Sequence, residues 1–121
     1  MGVMKRLFIE SSIFSRTLKQ FIRENRIAES DYKNLQEQLL HDPKAGAVIP
    51  GLLGLRKIRM GYRGKGTSGG LRIVYLDIPE AECLHFLLLY PKNAKEDLSP
   101  EEKREIRILV KTLKKEATRH V

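Results

Sequence analysis

Hydrophobic residues in the N-terminal third of the chain recur at the spacing of two amphipathic helices. Between Ile13 and Ile22 they alternate with basic and polar residues, and within residues 30–41 they occupy positions 32, 35 and 39. Asp42-Pro43 ends the second segment, because the residue before a proline is disfavoured in a helix. The pattern predicts a helical hairpin, preceded by a short strand over residues 3–10.

Three runs of branched and aromatic residues in the middle of the chain predict β-strands. They cover residues 55–60, 71–78 and 83–90, and Pro79-Glu80-Ala81-Glu82 between the last two has the composition of a hairpin turn. The third run is almost continuously apolar, which indicates a central strand covered on both faces. We therefore expect three consecutive antiparallel strands.

Ser99-Pro100-Glu101-Glu102 has the residues of a helix start, with a capping serine, a proline at the first helical position and a glutamate that can complete a capping box. An apolar stripe over residues 106–113 follows it. The order of elements indicates an α+β fold, in which two N-terminal helices and a C-terminal helix pack on a small antiparallel or mixed sheet. Without a repeat or a linker, we expect residues 1–121 to form one domain.

The basic residues of the chain are unevenly distributed. The net charge is +8 and the isoelectric point about 9.8. Residues 43–76 contain seven lysines and arginines but no aspartate or glutamate. Such segregation usually faces a polyanion.

Alternation along the first of the three strands places Lys57 and Arg59 on one face and Ile58 and Met60 on the other. Because Ile58 and Met60 favour the core, the two cations point together from the opposite face, where they repel each other unless an anion lies between them. Arg72, at the start of the neighbouring strand, can join them from the side. The pattern predicts an anion site, and the alternative is a solvated basic face that favours solubility.

A glycine-rich loop over residues 61–70 invites comparison with phosphate-binding loops. Arg59 stands where a P-loop needs its first glycine, and a strand rather than a helix is predicted to follow. We expect instead a hairpin tip whose Arg63 and Lys65 contact a phosphate and whose Tyr62 stacks on a base. The alternative is an ordinary turn.

Other site classes find little support in the sequence. His41, His85 and His120 lie in different elements without a partner at metal-ligand spacing, so we expect no metal and no cofactor. The single cysteine, Cys83, lies in an apolar run, which indicates a buried thiol in a reducing compartment. With no signal peptide and no apolar run of about 20 residues, we expect a cytoplasmic protein without membrane contact.

Five motifs follow one another in the centre of the chain: Gly54-Leu55-Arg56-Lys57-Ile58-Arg59, Gly64-Lys65-Gly66, Gly69-Gly70-Leu71-Arg72-Ile73-Val74-Tyr75, Leu87-Leu88-Leu89-Tyr90-Pro91-Lys92-Asn93 and Asp97-Leu98-Ser99-Pro100. Their order and spacing resemble the HigB branch of the RelE superfamily of toxins from type II toxin–antitoxin systems. The resemblance implies a RelE-like fold and a metal-independent endoribonuclease that cuts messenger RNA on the ribosome and so inhibits translation. The chemistry that it implies is attack by a ribose 2′-hydroxyl on the adjacent phosphate, which leaves a 2′,3′-cyclic phosphate.

The resemblance also implies roles for individual residues. Lys57 and Arg59 fall on the paired basic positions of the first strand of the three, Arg72 on the phosphate-clamping arginine, and Lys92 and Asn93 on the pair that closes the site. Arg59 stands where many relatives have lysine, and since arginine is a poor general base, Lys57 is the other candidate for that role. The acid that serves the leaving oxygen is not assigned. The predicted catalytic residues are Lys57, Arg59, Arg72 and Lys92, and the predicted RNA-binding residues are Arg56, Tyr62, Arg63, Lys65, Asn93 and Lys95.

The partners implied are the ribosome with its messenger RNA and a cognate antitoxin. In the HigB branch the antitoxin usually carries a helix-turn-helix domain, as in HigA, so operator DNA is expected to be bound only through it. Two other functions stay open. One is a catalytically inert RNA- or ribosome-binding module that uses the same cations, and the other is a structural partner subunit with a solvated basic face.

Overall fold

The computed structural model describes residues 5–61, 70–94 and 98–119, and within them it contains five strands and three α-helices. In chain order the elements are β1 (Leu7–Glu10), α1 (Ser12–Arg23), α2 (Glu29–His41), β2 (Ala47–Val48), β3 (Arg56–Met60), β4 (Leu71–Ile78), a short 3₁₀ turn (Pro79–Ala81), β5 (Cys83–Pro91) and α3 (Pro100–Arg119).

The strands form one mixed sheet in the order β1-β5-β4-β3-β2. The β1–β5 pair is parallel and the other three pairs are antiparallel. The predicted α+β fold, with two N-terminal helices and a C-terminal helix on a small sheet, is confirmed, and so are the three consecutive antiparallel strands. The third run, β5, lies between β1 and β4 and contributes side chains to the apolar clusters on both faces, so the expected central strand is confirmed. β2 is a strand that the sequence did not predict. Residues 3 and 4 of the predicted first strand lie outside the described residues.

Helices cover both faces of the sheet, so two apolar clusters form. On one face, α1 and α2 bury Phe14, Leu18 and Leu39 against side chains of β3, β4 and β5. On the other, α3 buries Ile106 and Val110 against the opposite sides of β4 and β5. Each such side chain contributes about 1.5–3 kcal/mol when fully buried. Because β4 lies between the two clusters, all its residues from 71 to 76 are buried.

Local capping fixes where the helices begin. Ser11 Oγ accepts a hydrogen bond of 3.0 Å from the Phe14 amide at the start of α1. At the start of α3, Ser99 Oγ accepts from the Glu102 amide at 3.1 Å, while Glu102 Oε1 accepts from the Ser99 amide at 2.9 Å. The capping box predicted for α3 is therefore confirmed.

Tyr75 anchors the segment between α2 and the sheet. Its buried hydroxyl donates to the Pro43 carbonyl oxygen at 2.8 Å and accepts from the Gly46 amide at 2.9 Å. Burial raises the pKa of this phenol, so it stays protonated and can donate. A Cβ on Gly46 would lie 2.8 Å from Tyr75 Cε1 and 2.9 Å from the Lys57 carbonyl oxygen, so only glycine fits here. The contact holds β2 against β3, whose cations form the site described below.

A partly buried ion pair ties the residue before β1 to β4 in the middle of the sheet. Arg6 Nε lies 2.6 Å from Asp77 Oδ1, and Arg6 Nη2 lies 3.1 Å from Asp77 Oδ2. The hydrogen bonds to Asp77 raise the pKa of Arg6. Two parallel bonds fix the orientation of the guanidinium as well as its position.

Candidate nucleic-acid interface

Arg59 and Arg72 lie directly opposite each other on the antiparallel strands β3 and β4. Arg72 in turn lies opposite Tyr90 on β5, so the three residues form one row across the sheet. Lys57, two residues before Arg59, shares its face because side chains alternate along a strand. Tyr90 packs in the cluster beneath α3, so this face of the sheet is the one that α3 partly covers.

Arg72 is the only buried charged residue among the described residues, with 7 % of its surface exposed. Its Nη1 atom is buried and has no hydrogen-bond partner within the described part of the chain. A buried charged donor without an acceptor is costly, and an oxygen of a bound anion would satisfy it. Arg72 Nη1 is therefore the atom around which the predicted anion site can be built.

The charge of Arg59 adds to that of Arg72. Side chains directly opposite on antiparallel strands have Cβ atoms about 5 Å apart, at which distance like charges destabilise the pair. Arg59 is exposed and Lys57 is half-buried, so the cluster opens to solvent on the side of β3. An anion between Arg59 and Arg72 would relieve the repulsion that the ladder imposes.

Lys92 and Asn93 lie in the turn that follows β5, and both are exposed. The Ala94 amide donates to the Pro91 carbonyl oxygen at 3.1 Å and closes this turn. Because Pro91 pairs with Leu71 at the start of β4, the turn lies at the end of the sheet that also holds Arg72. Lys57, Arg59, Arg72 and Lys92 thus gather at one end of the sheet.

Of the other predicted RNA-binding residues, the structure describes Arg56. Arg56 is on the opposite face of β3 from Lys57, and its Nη1 donates to the carbonyl oxygens of Lys44 at 3.2 Å and Gly46 at 2.7 Å. In this structure its guanidinium braces the segment before β2, and its RNA-binding role stays a prediction. Tyr62, Arg63, Lys65 and Lys95 lie outside the described residues.

Tyr90 is a neighbour of the cluster that the sequence analysis did not single out. It is 5 % exposed and lies opposite Arg72 in the ladder. It is the only tyrosine in the apolar run of β5. That position two residues before Lys92 was the signal that could have identified it.

His85 and Cys83, the histidine and the cysteine of β5, lie away from the cation cluster at the other end of this strand. His85 is half-buried in β5, and burial lowers its pKa while the nearby charge of Glu116 opposes the shift. Cys83 is only half-buried, and its thiol donates to the Ala81 carbonyl oxygen at 3.2 Å, so the expectation of a buried thiol is wrong.

Among residues 5–61, 70–94 and 98–119, no group of three His, Cys, Asp or Glu side chains is placed to hold a metal ion. In those same ranges no helix has the length and apolar character needed to cross a membrane.

The chain thus has a single mixed sheet with helices on both faces and a group of cations on β3, on β4 and in the turn after β5. These features agree with the family to which its sequence is matched. The family model of the RelE toxin of the RelE / RelB toxin-antitoxin system matches residues 11–121. The chain belongs to this family. The structure of a mutant of the E. coli toxin RelE in the free state shares the fold, with a TM-score of 0.50 at 21 % sequence identity, over 77 % of this chain and 90 % of that one.

Family membership makes the chain a toxin of a toxin–antitoxin system, with an antitoxin as its partner. The toxins of this family are ribonucleases that act on messenger RNA. A cluster of cations around an arginine whose buried Nη1 has no hydrogen-bond partner in the described part of the chain is chemically suited to a phosphodiester, because arginine contacts phosphate oxygens in pairs.

Proposed function

We propose that this protein is a metal-independent, ribosome-dependent endoribonuclease of the HigB-like branch, which cleaves messenger RNA and thereby inhibits translation. The observation that carries the proposal is the buried Arg72 Nη1 without a hydrogen-bond partner in the described part of the chain, directly across the ladder from Arg59. In the proposed reaction the nucleophile is the 2′-hydroxyl of the RNA itself, and the cations of the site stabilise the charge that builds on the phosphate.

In this reaction the bond between the 2′-oxygen and phosphorus forms and the bond between phosphorus and the 5′-oxygen breaks. Negative charge builds on the non-bridging phosphate oxygens before the 5′-oxygen leaves. Arg72 and Arg59 stabilise that charge, because they are already in place and need no reorganisation. The products are a 2′,3′-cyclic phosphate and a 5′-hydroxyl.

Two proton transfers complete the reaction. The 2′-hydroxyl must lose a proton, and Lys57, which shares the face of Arg59, is our candidate for this role because a guanidinium stays protonated. The 5′-oxygen must gain a proton. We propose that Lys92, in the turn after β5, supports this step and that the neighbouring Asn93 contacts the RNA. Arg56, Tyr62, Arg63, Lys65 and Lys95 are proposed to contact the RNA around the cleaved bond.

The proposed role of the ribosome is to position the messenger RNA for cleavage. Our proposal is that the cations stabilise charge but do not by themselves hold the 2′-oxygen, phosphorus and 5′-oxygen in line. Holding reacting groups in line contributes up to about 7–11 kcal/mol to a barrier. We propose that the ribosomal decoding site supplies this constraint on the messenger.

The antitoxin partner is proposed to be of the HigA type, with a helix-turn-helix domain. Operator DNA would then be bound by the toxin–antitoxin pair through the antitoxin. A gel-shift assay with toxin alone, antitoxin alone and the complex tests this, and DNA binding by toxin alone would contradict it.

The test of the function is controlled expression in a host that lacks the antitoxin. Wild type is compared with Lys57→Ala, Arg72→Ala and a matched control, Arg16→Ala, which removes an exposed arginine of α1. We expect growth arrest and new messenger 5′ ends for wild type and Arg16→Ala, and neither for the two site variants. Folded wild type that arrests growth without cutting messages would favour the inert binding module, and wild type with no effect at all would refute the proposal.

A further inference from the structure

A second surface of the molecule lies beside α3 and is separate from the cation cluster. It is an open groove of about 270 Å³ between the start of α1, the middle of β5 and the first half of α3. The groove is smaller than the roughly 300–1,000 Å³ of small-molecule pockets, so it suits a few side chains of a protein better than a free ligand. Its walls include Ile13, Leu88, Ile106, Leu109, Glu102 and Glu105.

The apolar side chains of this groove are only partly covered by the protein itself. Ile13 is 56 % exposed and Leu109 is 39 % exposed, although both are large aliphatic residues. They flank Leu88, which is half-buried on β5. Adjacent exposed aliphatic side chains around a concavity mark an interaction site more often than scattered ones do.

The strand pairing explains why the groove is open. β1 pairs with β5 only from Cys83 to Phe86. Ser11 follows this pair, and its Oγ donates to the Leu87 carbonyl oxygen of β5 and accepts from the Phe14 amide of α1. Beyond that point β5 continues to Pro91, and no described strand lies on its outer side. The floor of the groove is thus a stretch of β5 that the short first strand leaves uncovered.

The charge of the groove is opposite to that of the rest of the chain. The charged side chains that line it are Glu102 and Glu105, and its described lining includes no lysine or arginine. The same side of α3 carries Glu116 further along, close enough to act on His85. On a chain of net charge +8, this acidic and apolar strip attracts positively charged groups, which the cation cluster repels.

We propose that the groove is a docking site for the antitoxin, and that it receives a segment with aliphatic side chains flanked by lysine or arginine. The inference rests on the toxin function proposed above. Aliphatic side chains of the partner would cover Ile13, Leu88 and Leu109, and its cations would face Glu105. The cation cluster is not needed for this contact, so the antitoxin holds the toxin at a site other than the one that contacts RNA.

The experiment measures the affinity of purified toxin variants for the purified cognate antitoxin. Leu109→Asp places a charge in the groove, and Glu105→Lys reverses its charge. The matched control is Ile108→Asp, which alters a neighbouring α3 residue that is 68 % exposed and does not line the groove. Arg72→Ala is included to separate the groove from the cation cluster.

We expect Leu109→Asp and Glu105→Lys to raise the Kd about tenfold or more, as central interface residues do, and Ile108→Asp and Arg72→Ala to change it less than about threefold. The effect of Glu105→Lys should shrink at high salt. The groove variants should still cut messages, so loss of antitoxin binding and loss of the proposed ribonuclease function are read separately.

Three results would overturn the inference. The first is an unchanged Kd in both groove variants, and the second is an equal loss in Ile108→Asp. The third is a wild-type toxin that dimerises alone in sedimentation and becomes monomeric in Leu109→Asp, because a second copy would then occupy the groove. Circular dichroism and a urea unfolding curve for each variant exclude misfolding as the cause of a weakened Kd.

Discussion

Arg59 and Arg72 face each other across the β3–β4 ladder, one exposed and the other 7 % exposed, without an acidic residue in the row that they form with Tyr90. Folding brings these like charges together, so the free protein bears an electrostatic cost that a bound anion removes. Function and stability therefore make opposite demands on this pair, as is common at sites that bind charged substrates.

We predict that Arg59→Gln stabilises the free protein. Removing one of two opposed cations relieves a repulsion of about 0.5 kcal/mol at low salt, since like charges directly opposite in a sheet cost about 0.2–1 kcal/mol and solvent screens the exposed member. Urea unfolding at 20 mM and 500 mM salt measures the gain. Arg16→Gln on α1 is the control, and an equal gain there, or a gain that persists at high salt, would contradict the explanation.

Tyr75→Phe should destabilise the protein by about 2 kcal/mol. The substitution removes the acceptor of the Gly46 amide and the donor to Pro43, and both backbone groups are buried. Urea unfolding gives the free energy, and hydrogen exchange of the Gly46 amide should accelerate.

Tyr32→Phe is the comparison for this prediction. Tyr32 donates to the exposed carboxylate of Glu10 at 2.7 Å, so water can replace the lost hydroxyl. We expect a loss below about 1 kcal/mol. Equal losses in the two variants would show that the hydroxyl of Tyr75 has no special structural role.

Asp77→Asn should cost about 2–3 kcal/mol, because it leaves the Arg6 guanidinium without its carboxylate in a site where the two side chains are 7 % and 14 % exposed. The double variant Arg6→Met/Asp77→Leu removes both charges and should recover part of the loss. A double-mutant cycle in urea measures the coupling. Additive losses would refute a direct interaction.

The pH dependence of stability should include a contribution from His85. Burial lowers its pKa in the folded state, so the unfolded chain binds the proton more readily between the two pKa values. Stability is then complete above the unfolded pKa of about 6.5 and falls as the pH drops through that value. His85→Gln should show a shallower loss of stability between pH 7 and pH 5, and a slope equal to that of wild type would contradict this.

The helices and most strands could be predicted because their determinants are local. Caps such as Ser99 with Glu102, and the apolar spacing of α1, act within a few residues. β2 could not be predicted, because it is two residues long and depends on Tyr75, which lies 29 residues after Gly46. Side-chain contacts of that separation leave no pattern in the segment itself.

In the candidate site, too, local features were predictable from the sequence and features that depend on distant contacts were not. Alternation placed Lys57 and Arg59 on one face, and it also placed Arg56 with Ile58 and Met60 on the other, where the structure has it. The burial of Arg72 was not predictable, since arginine is rarely buried and its depth here depends on packing beneath α3. The groove beside α3 was likewise not predicted, because it forms where β1 ends and β5 continues to Pro91 without a described strand beside it.

The parallel pairing of β1 with β5 has a consequence for the order of events during synthesis. Leu7 pairs with Cys83, so the first strand cannot pair with its neighbour until Cys83 has been synthesised. Arg72 likewise lacks its neighbour until Tyr90 has been synthesised. Pairings this distant in sequence form late. The β-sheet of a nascent chain is therefore incomplete on both sides of β5 until β5 itself has left the ribosome.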